Sequence, residues 1–370
     1  MNAMYKKILV INLMHIGDLL LVTPVLRTLR MNFPDAHIEL LADKKLGDLV
    51  RYNKNLDDCI LIDKKGDDDR LPNFLKVIGG IREKNFDLVI NLHRNERASA
   101  LAAFSGGKRI VGYAKPGFAL LFHKVLQNLK AVKHQIHSHF DVLREACGIE
   151  KIYDYGLEMW ISDEDKTAVD KIFRANFAAG TKVVAFNIGA SWLTKRWIDS
   201  YFAECADILV ERGYGVAFLG GEMDRGLVGA CVEQMRQKDS ELVKIFTGSL
   251  SLAEVAGFLD NCVLMLTTDS GPMHIGVARN IPIVTMFGAS PVPGFYPYDA
   301  KDILVKTPVN CHPCGNHLCP LVGVENLACM KKIPVSVVMK YVNELLENYG
   351  EPAEKIPREI GNYQCRVVEL

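Results

Sequence analysis

Three short stretches of this sequence carry residue types suited to group transfer. The first is Asn12-Leu13-Met14-His15-Ile16-Gly17-Asp18, which follows the apolar run Lys7–Ile11. A carboxylate at a helix start is favoured by the helix dipole, and at a strand end it can also take a proton from a substrate hydroxyl. Taken locally, Asp18 reads more simply as the first of these; His15 stands close enough to hydrogen-bond it. The second stretch runs from Asn187 through Gly189-Ala190-Ser191 to Lys195-Arg196-Trp197. Small residues ahead of a Lys-Arg pair can set backbone N–H groups and cations around a phosphate. The third is Thr267-Thr268-Asp269-Ser270-Gly271-Pro272-Met273-His274. It lies between an apolar run, Val263–Leu266, and a short helical pattern. Ser270 suits an N-cap, Pro272 suits a first helical turn, and Gly271 admits a close backbone or ligand. Free N–H groups there would face an anion. Alone, the octet reads equally well as an ordinary capped turn.

Further strand ends carry polar groups. Val216–Leu219 leads into Gly220-Gly221-Glu222, where a carboxylate can accept from ribose hydroxyls. Ile283–Phe287 leads into Gly288-Ala289-Ser290-Pro291. Asp87–Leu92 leads into His93-Arg94-Asn95-Glu96-Arg97, whose guanidinium forks match phosphate oxygens, or simply form a solvated helix start. The first turn lacks the G-x-G-x-x-G of a dinucleotide site.

Cys311-x2-Cys314-x4-Cys319-x9-Cys329 has the spacing of a metal knuckle, suited to structural zinc or iron. The alternative is a set of reduced, packed thiols. Cys59, Cys147, Cys205, Cys231, Cys262 and Cys365 are scattered, mostly in apolar segments, where buried thiols are the default.

The elements that must hold these groups alternate strand and helix. Ile38–Leu41 and Cys59–Ile62 read as strands, and Leu19–Arg30 and Pro72–Arg82 as helices. This rhythm gives an α/β class with parallel sheets. It breaks near Tyr153–Thr181, where Ser162 caps a connecting helix over Asp163–Phe177, and restarts at Val183–Phe186. Two similar domains follow: residues 1–160, residues 161–345, and a C-terminal extension over 346–370 that lacks periodicity. Gly117–His139 mixes lysine and histidine, including His134, with apolar residues. It suits either a mobile surface that meets a lipid-linked or phosphorylated partner, or an ordinary amphipathic helix.

The 370 residues are 49% apolar, with 44 Lys+Arg against 44 Asp+Glu. No global field points to nucleic acid, so none is expected as a partner. No apolar run would span a bilayer. The expectation is a cytoplasmic protein, with peripheral contact at the inner face of the cytoplasmic membrane open.

In order and in residue type, Ile16-Gly17-Asp18, the Gly-Ala-Ser…Lys195-Arg196-Trp197 segment, the Gly-Gly-Glu222 strand end and the Thr267–His274 octet resemble the bacterial ADP-heptose–lipopolysaccharide heptosyltransferases. The resemblance covers most of residues 5–345. It implies a GT-B fold: two Rossmann-like domains with parallel sheets facing across a cleft, the first taking the acceptor and the second the nucleotide sugar. It implies an inverting glycosyltransferase with Asp18 as general base and Lys195 stabilising the leaving diphosphate. Ser191, Glu222, Asp269, Ser270, Gly271 and His274 then bind the ADP-heptose donor, and His15, Arg94 and His134 are candidates for the lipopolysaccharide inner-core acceptor. No cofactor is required for catalysis under this reading. The alternatives are a related glycosyltransferase with another nucleotide sugar or a protein acceptor, a non-catalytic nucleotide-sugar-binding protein, and an epimerase of the same fold.

Overall fold

The structure, a computed structural model, describes residues 5–370. The chain divides between Tyr155 and Gly156 into two units, each built on its own sheet.

The first unit contains β1 (Lys7–Ile11), α1 (Ile16–Leu20), α2 (Thr23–Asn32), β2 (His37–Asp43), β3 (Asp58–Ile62), α3 (Leu71–Glu83), β4 (Leu88–Asn91), α4 (Glu96–Ala103), β5 (Arg109–Gly112), β6 (Lys124–Val125) and α5 (Gln135–Asp141). Its six strands pair in parallel in the order β3-β2-β1-β4-β5-β6. This is a doubly wound arrangement. The chain steps outward from β1 on one side, then returns to β4 on the other, so the loops after β1 and β4 diverge and leave a crevice at their carboxyl ends. Leu9, Ile11, Val89, Leu101 and Ile110 form part of one buried core.

The second unit contains α6 (Asp163–Asn176), β7 (Val183–Asn187), α7 (Asp199–Glu211), β8 (Gly215–Leu219), α8 (Arg225–Val232), β9 (Val243–Ile245), α9 (Leu252–Asp260), β10 (Leu264–Thr268), α10 (Gly271–Ala278), β11 (Ile283–Phe287), α11 (Val292–Phe295), β12 (Ile303–Lys306), α12 (Ala328–Lys331), α13 (Val335–Tyr349) and β13 (Arg366–Glu369). The seven strands run β13-β12-β11-β10-β7-β8-β9, all parallel. The winding repeats that of the first unit with one strand added, and the switch falls between β7 and β10. Every residue of β7, β10 and β11 is buried, as central parallel strands covered on both faces must be. The α/β class with two parallel, Rossmann-like sheets is thus the observed one.

Local chemistry accounts for several boundaries. Ser162 and Asp165 form a reciprocal capping box on α6: Asp165 N–H donates to Ser162 Oγ at 2.9 Å, and Ser162 N–H donates to Asp165 Oδ2 at 3.2 Å. The helix expected over Leu19–Arg30 is instead two, α1 and α2. Pro24 cannot donate to Leu20 O and its ring crowds that carbonyl, so the chain breaks and restarts. Thr23 Oγ1 donates to the orphaned Leu20 carbonyl at 2.7 Å. The segment 117–139 is neither one amphipathic helix nor uniformly surface. It forms a 3₁₀ turn over Pro116–Leu121, then β6, then the start of α5, where His134 and His139 are buried. Beyond residue 346, α13 runs on to Tyr349, and Arg366–Glu369 adds the outermost parallel strand beside β12. Among the described residues no helix is long and apolar enough to cross a membrane.

Candidate functional site

In the second unit the switch point is built by the loops after β7 and β10. Asn187, the last residue of β7, stands opposite Thr267 in the sheet register. Its Nδ2 donates to Ser270 Oγ at 2.8 Å and lies 3.3 Å from Thr267 Oγ1 and 3.2 Å from Gly189 O. Ser270 occupies the N-cap position of α10, yet its side chain makes no cap hydrogen bond; it turns to Asn187 instead. The first N–H groups of α10 therefore have no side-chain acceptor from their own cap, and they point out of the carboxyl edge of the sheet.

Lys195 arrives at the same edge from the β7 loop. Its Nζ lies 3.1 Å from Asp269 Oδ2 and 4.7 Å from the Trp192 ring centroid. Asp269 is 3% exposed, so the lysine is the group that compensates a buried carboxylate. Thr268 Oγ1 donates to Lys195 O, which ties the two loops together. His274, one helical turn further on, is buried, and burial lowers its pKa to about 4, with the nearby Lys195 lowering it and Asp269 opposing. It is a neutral imidazole at pH 7, and its Nδ1 has no hydrogen-bond partner among the described residues. Gly189 is required by close approach: a Cβ there would sit 2.2 Å from Asp224 Oδ1, which belongs to the turn after β8. That same turn holds Glu222, exposed and hydrogen-bonded by Arg225 Nε at 2.7 Å. Ser191 is exposed on the β7 loop. Thus Lys195, Asp269, Ser270, Gly271 and His274 share one locality, and Ser191 and Glu222 lie on adjoining loops.

In the first unit the switch point is a cavity of about 290 Å³ lined by residues including His15, Lys64, Lys65, His93, Asn95 and Arg97. His15 is the exposed N-cap residue of α1, and Asp18 lies partly exposed in that helix's first turn. Lys64 ties this loop down. Its Nζ donates to Leu13 O at 2.6 Å and to Met14 O at 2.9 Å, and pairs with Asp43 Oδ2 at 3.0 Å. One ammonium thereby joins the ends of β1, β2 and β3. Burial, with Lys64 and His15 nearby, lowers the His93 pKa to about 4. Arg97 is held by Asp69 and by Asp68 O and lies over Phe74. Arg94 is exposed, and His134 is buried at the start of α5, where its ring accepts from Ile136 N–H; neither lines the cavity. Sequence reasoning passed over Lys64 and Lys65, although two cations directly after a strand were the available signal. It also passed over the side chain of Asn187.

The metal expectation for Cys311, Cys314, Cys319 and Cys329 is not met. Among the described residues no group of three or more His, Cys, Asp or Glu is arranged to hold an ion. Cys311 is exposed while the other three are half-buried, and Cys319 Sγ is engaged as acceptor for Leu327 N–H at 3.4 Å. Burial pushes the Cys329 thiol up to about 11, and Cys311, Cys314 and Cys319 lie near enough to add to the shift. The four thiols are free and none of them is buried, so the packed alternative does not describe this loop either. It seats on the Lys195 loop: His317 stacks on Trp192 at 4.1 Å between centroids, and Thr194 Oγ1 donates to Asn316 O.

Comparison with known proteins bears on what these sites serve. The family described as glycosyltransferase family 9 (heptosyltransferase) matches residues 74–324. Lipopolysaccharide heptosyltransferase 3 of Escherichia coli K12 is 29% identical over 285 residues, covering 74% of this chain and 80% of that protein. A crystal structure of a family 9 glycosyl transferase from Veillonella parvula DSM 2008 matches with a TM-score of 0.84 at 31% identity, over 94% of this chain and 99% of that one. The E. coli ADP-heptose lipopolysaccharide heptosyltransferase II structure shares the fold, with a TM-score of 0.76 at 20% identity over 92% and 99% of the two chains. With the family matching more than half of the chain and the GT-B fold in common, this protein belongs to glycosyltransferase family 9, the heptosyltransferases.

Proposed function

We propose that this enzyme moves a heptose from ADP-L-glycero-D-manno-heptose to the inner core of lipopolysaccharide, with inversion at the anomeric carbon. The observation that carries the donor assignment is the Lys195–Asp269 pair beside the start of α10 at the switch point of the second sheet. A diphosphate needs a cation and unpaired N–H donors, and both stand there. Ser270 and Gly271 contact the diphosphate in this reading, with Ser191 beside them. Asp269 and His274 recognise the donor, and Glu222 accepts from the nucleoside.

The acceptor binds to residues 1–160. Its hydroxyl oxygen attacks the anomeric carbon, the bond from that carbon to the diphosphate oxygen breaks, and the electron pair leaves with ADP. The hydroxyl proton passes to Asp18. His15 lines the acceptor cavity together with the cations of the β3 loop, and Arg94 and His134 remain further acceptor candidates. Negative charge grows on the departing oxygen, where Lys195 and the α10 N–H groups lower its energy. A metal plays no part in this proposal.

The experiment is donor consumption with a heptose-deficient core acceptor. ADP release that requires the acceptor is expected from ADP-heptose and not from a UDP-sugar. Release without acceptor, or none from the wild-type protein, removes the reading.

Lys64 acts in this scheme as a positioning residue, through the Leu13 and Met14 carbonyls. Lys64→Met leaves Asp43 without its cation and those carbonyls without a donor. A loss of about 3 kcal/mol in stability of the first unit is expected. Transfer should slow about tenfold or more through a loosened Asp18 loop, with KM for the donor unchanged. Equal losses in kcat and in donor affinity would show that Lys64 does something else.

A further inference from the structure

We propose that the segment Lys115–Lys133 docks this protein on the surface of an anionic lipid bilayer. The segment follows β5 and includes β6, the edge strand of the first sheet, which pairs on one side only. Leu120 is 99% exposed and Val132 74%, and Leu121, Val125 and Leu129 are exposed too. Single exposed apolar residues are ordinary; five within thirteen positions of one segment are not.

Charge selects the occupant. Lys+Arg and Asp+Glu balance over the whole chain, yet no Asp or Glu occurs between Glu96 and Asp141. Within the segment stand Lys115, Lys124, Lys130 and Lys133 and no acid at all. Lys115 pairs with Glu96 and Lys133 with Asp141, acids that lie at either border. Those pairs set the lysines in place while their side chains stay 37% and 32% exposed. Lys124 donates to Glu145 O, a neutral partner that leaves its charge uncompensated.

Apolar side chains interspersed with ammonium groups match a bilayer interface, where the leucines enter the acyl boundary and the lysines meet lipid phosphates. A second copy of this chain is a poorer occupant. A two-fold contact would set the same cations against one another. The inference rests on this surface alone and does not depend on the donor or base assignments.

Vesicle co-sedimentation of the full chain tests it. Vesicles of phosphatidylcholine are compared with vesicles that also contain phosphatidylglycerol. Preferential binding to the anionic vesicles is expected, weakened by high salt. Leu120→Asp with Val132→Asp should weaken binding by about tenfold or more. Lys124→Glu with Lys130→Glu should remove the preference for phosphatidylglycerol, each lysine being worth about fivefold. These positions are exposed, and an unchanged thermal unfolding midpoint verifies that the variants fold. Equal binding to both vesicle types overturns the proposal, as does binding that the variants leave intact. Absence of vesicle binding together with self-association that Leu120→Asp abolishes assigns the surface to a second copy instead.

Discussion

With Asp18 as the proposed base, Asp18→Asn is expected to lower kcat for heptosyl transfer by about 10³-fold, within the 10²–10⁴ that a positioned general base supplies. The amide keeps the size of the carboxylate and cannot take the proton. Asp18 lies in the first turn of α1, partly exposed, where its interaction with the helix dipole is worth about 0.3–1 kcal/mol. The variant should therefore fold and bind donor with unchanged affinity, since every donor group proposed lies beyond residue 156. Steady-state kinetics with separate titration of donor and acceptor reads this pattern. Near-normal kcat would remove Asp18 as the base and leave it the helix-dipole role that its place in the first turn also fits.

Lys195→Ala has the second large effect, a fall of about 10²–10³-fold in kcat, the usual consequence of losing one preorganised group that faces developing charge. Here a structural cost accompanies the chemical one. Asp269 is buried and loses its cation, so the protein should also be destabilised by about 3 kcal/mol. The two effects separate in the pair Lys195→Ala with Asp269→Asn. The double variant no longer buries an uncompensated carboxylate and should regain most of the stability, while transfer stays well below that of Asp269→Asn alone. Calorimetry and kinetics on the same samples decide the matter. If activity returned along with stability, Lys195 would be a structural counter-ion and nothing more.

The sequence disclosed the sheets well because parallel strands buried on both faces are short, continuous apolar runs. Lys7–Ile11, Val183–Asn187 and Ile283–Phe287 could hardly be anything else. It disclosed less where pattern and local chemistry disagree. The apolar spacing of Leu19–Leu29 is helical throughout, and Pro24 still divides it, because a missing N–H and a crowded carbonyl outweigh periodicity. The strand Arg366–Glu369 has charged residues at both ends and an apolar pair between them; only its neighbour β12 makes it a strand. The octet Thr267–His274 could be placed at a strand end from sequence, but the grouping of Lys195 with Asp269 could not. It follows from β7 and β10 being adjacent although some eighty residues separate them, a fact of strand order. Lys64 is the same case: its three partners come from the ends of two other strands. The cysteines are a different case: their spacing brings Cys311, Cys314 and Cys319 near Cys329, but spacing says nothing of whether the four sulfurs take up the geometry of an ion site.

The outermost strand of the second sheet has a kinetic consequence. Between Lys306 at the end of β12 and Arg366 at the start of β13 the numbering advances by 60, although the strands lie side by side. Loop-closure entropy grows only logarithmically, so doubling such a span adds about 0.6 kcal/mol, and the Lys306–Glu369 and Arg366–Glu344 ion pairs help to hold the strand once it arrives. The delay is the larger effect. A pairing this remote forms after pairings nearer in sequence, such as β11 with β12, have been made. Until then β12 is the open edge of the sheet, and the nascent second unit presents unpaired backbone to any passing strand.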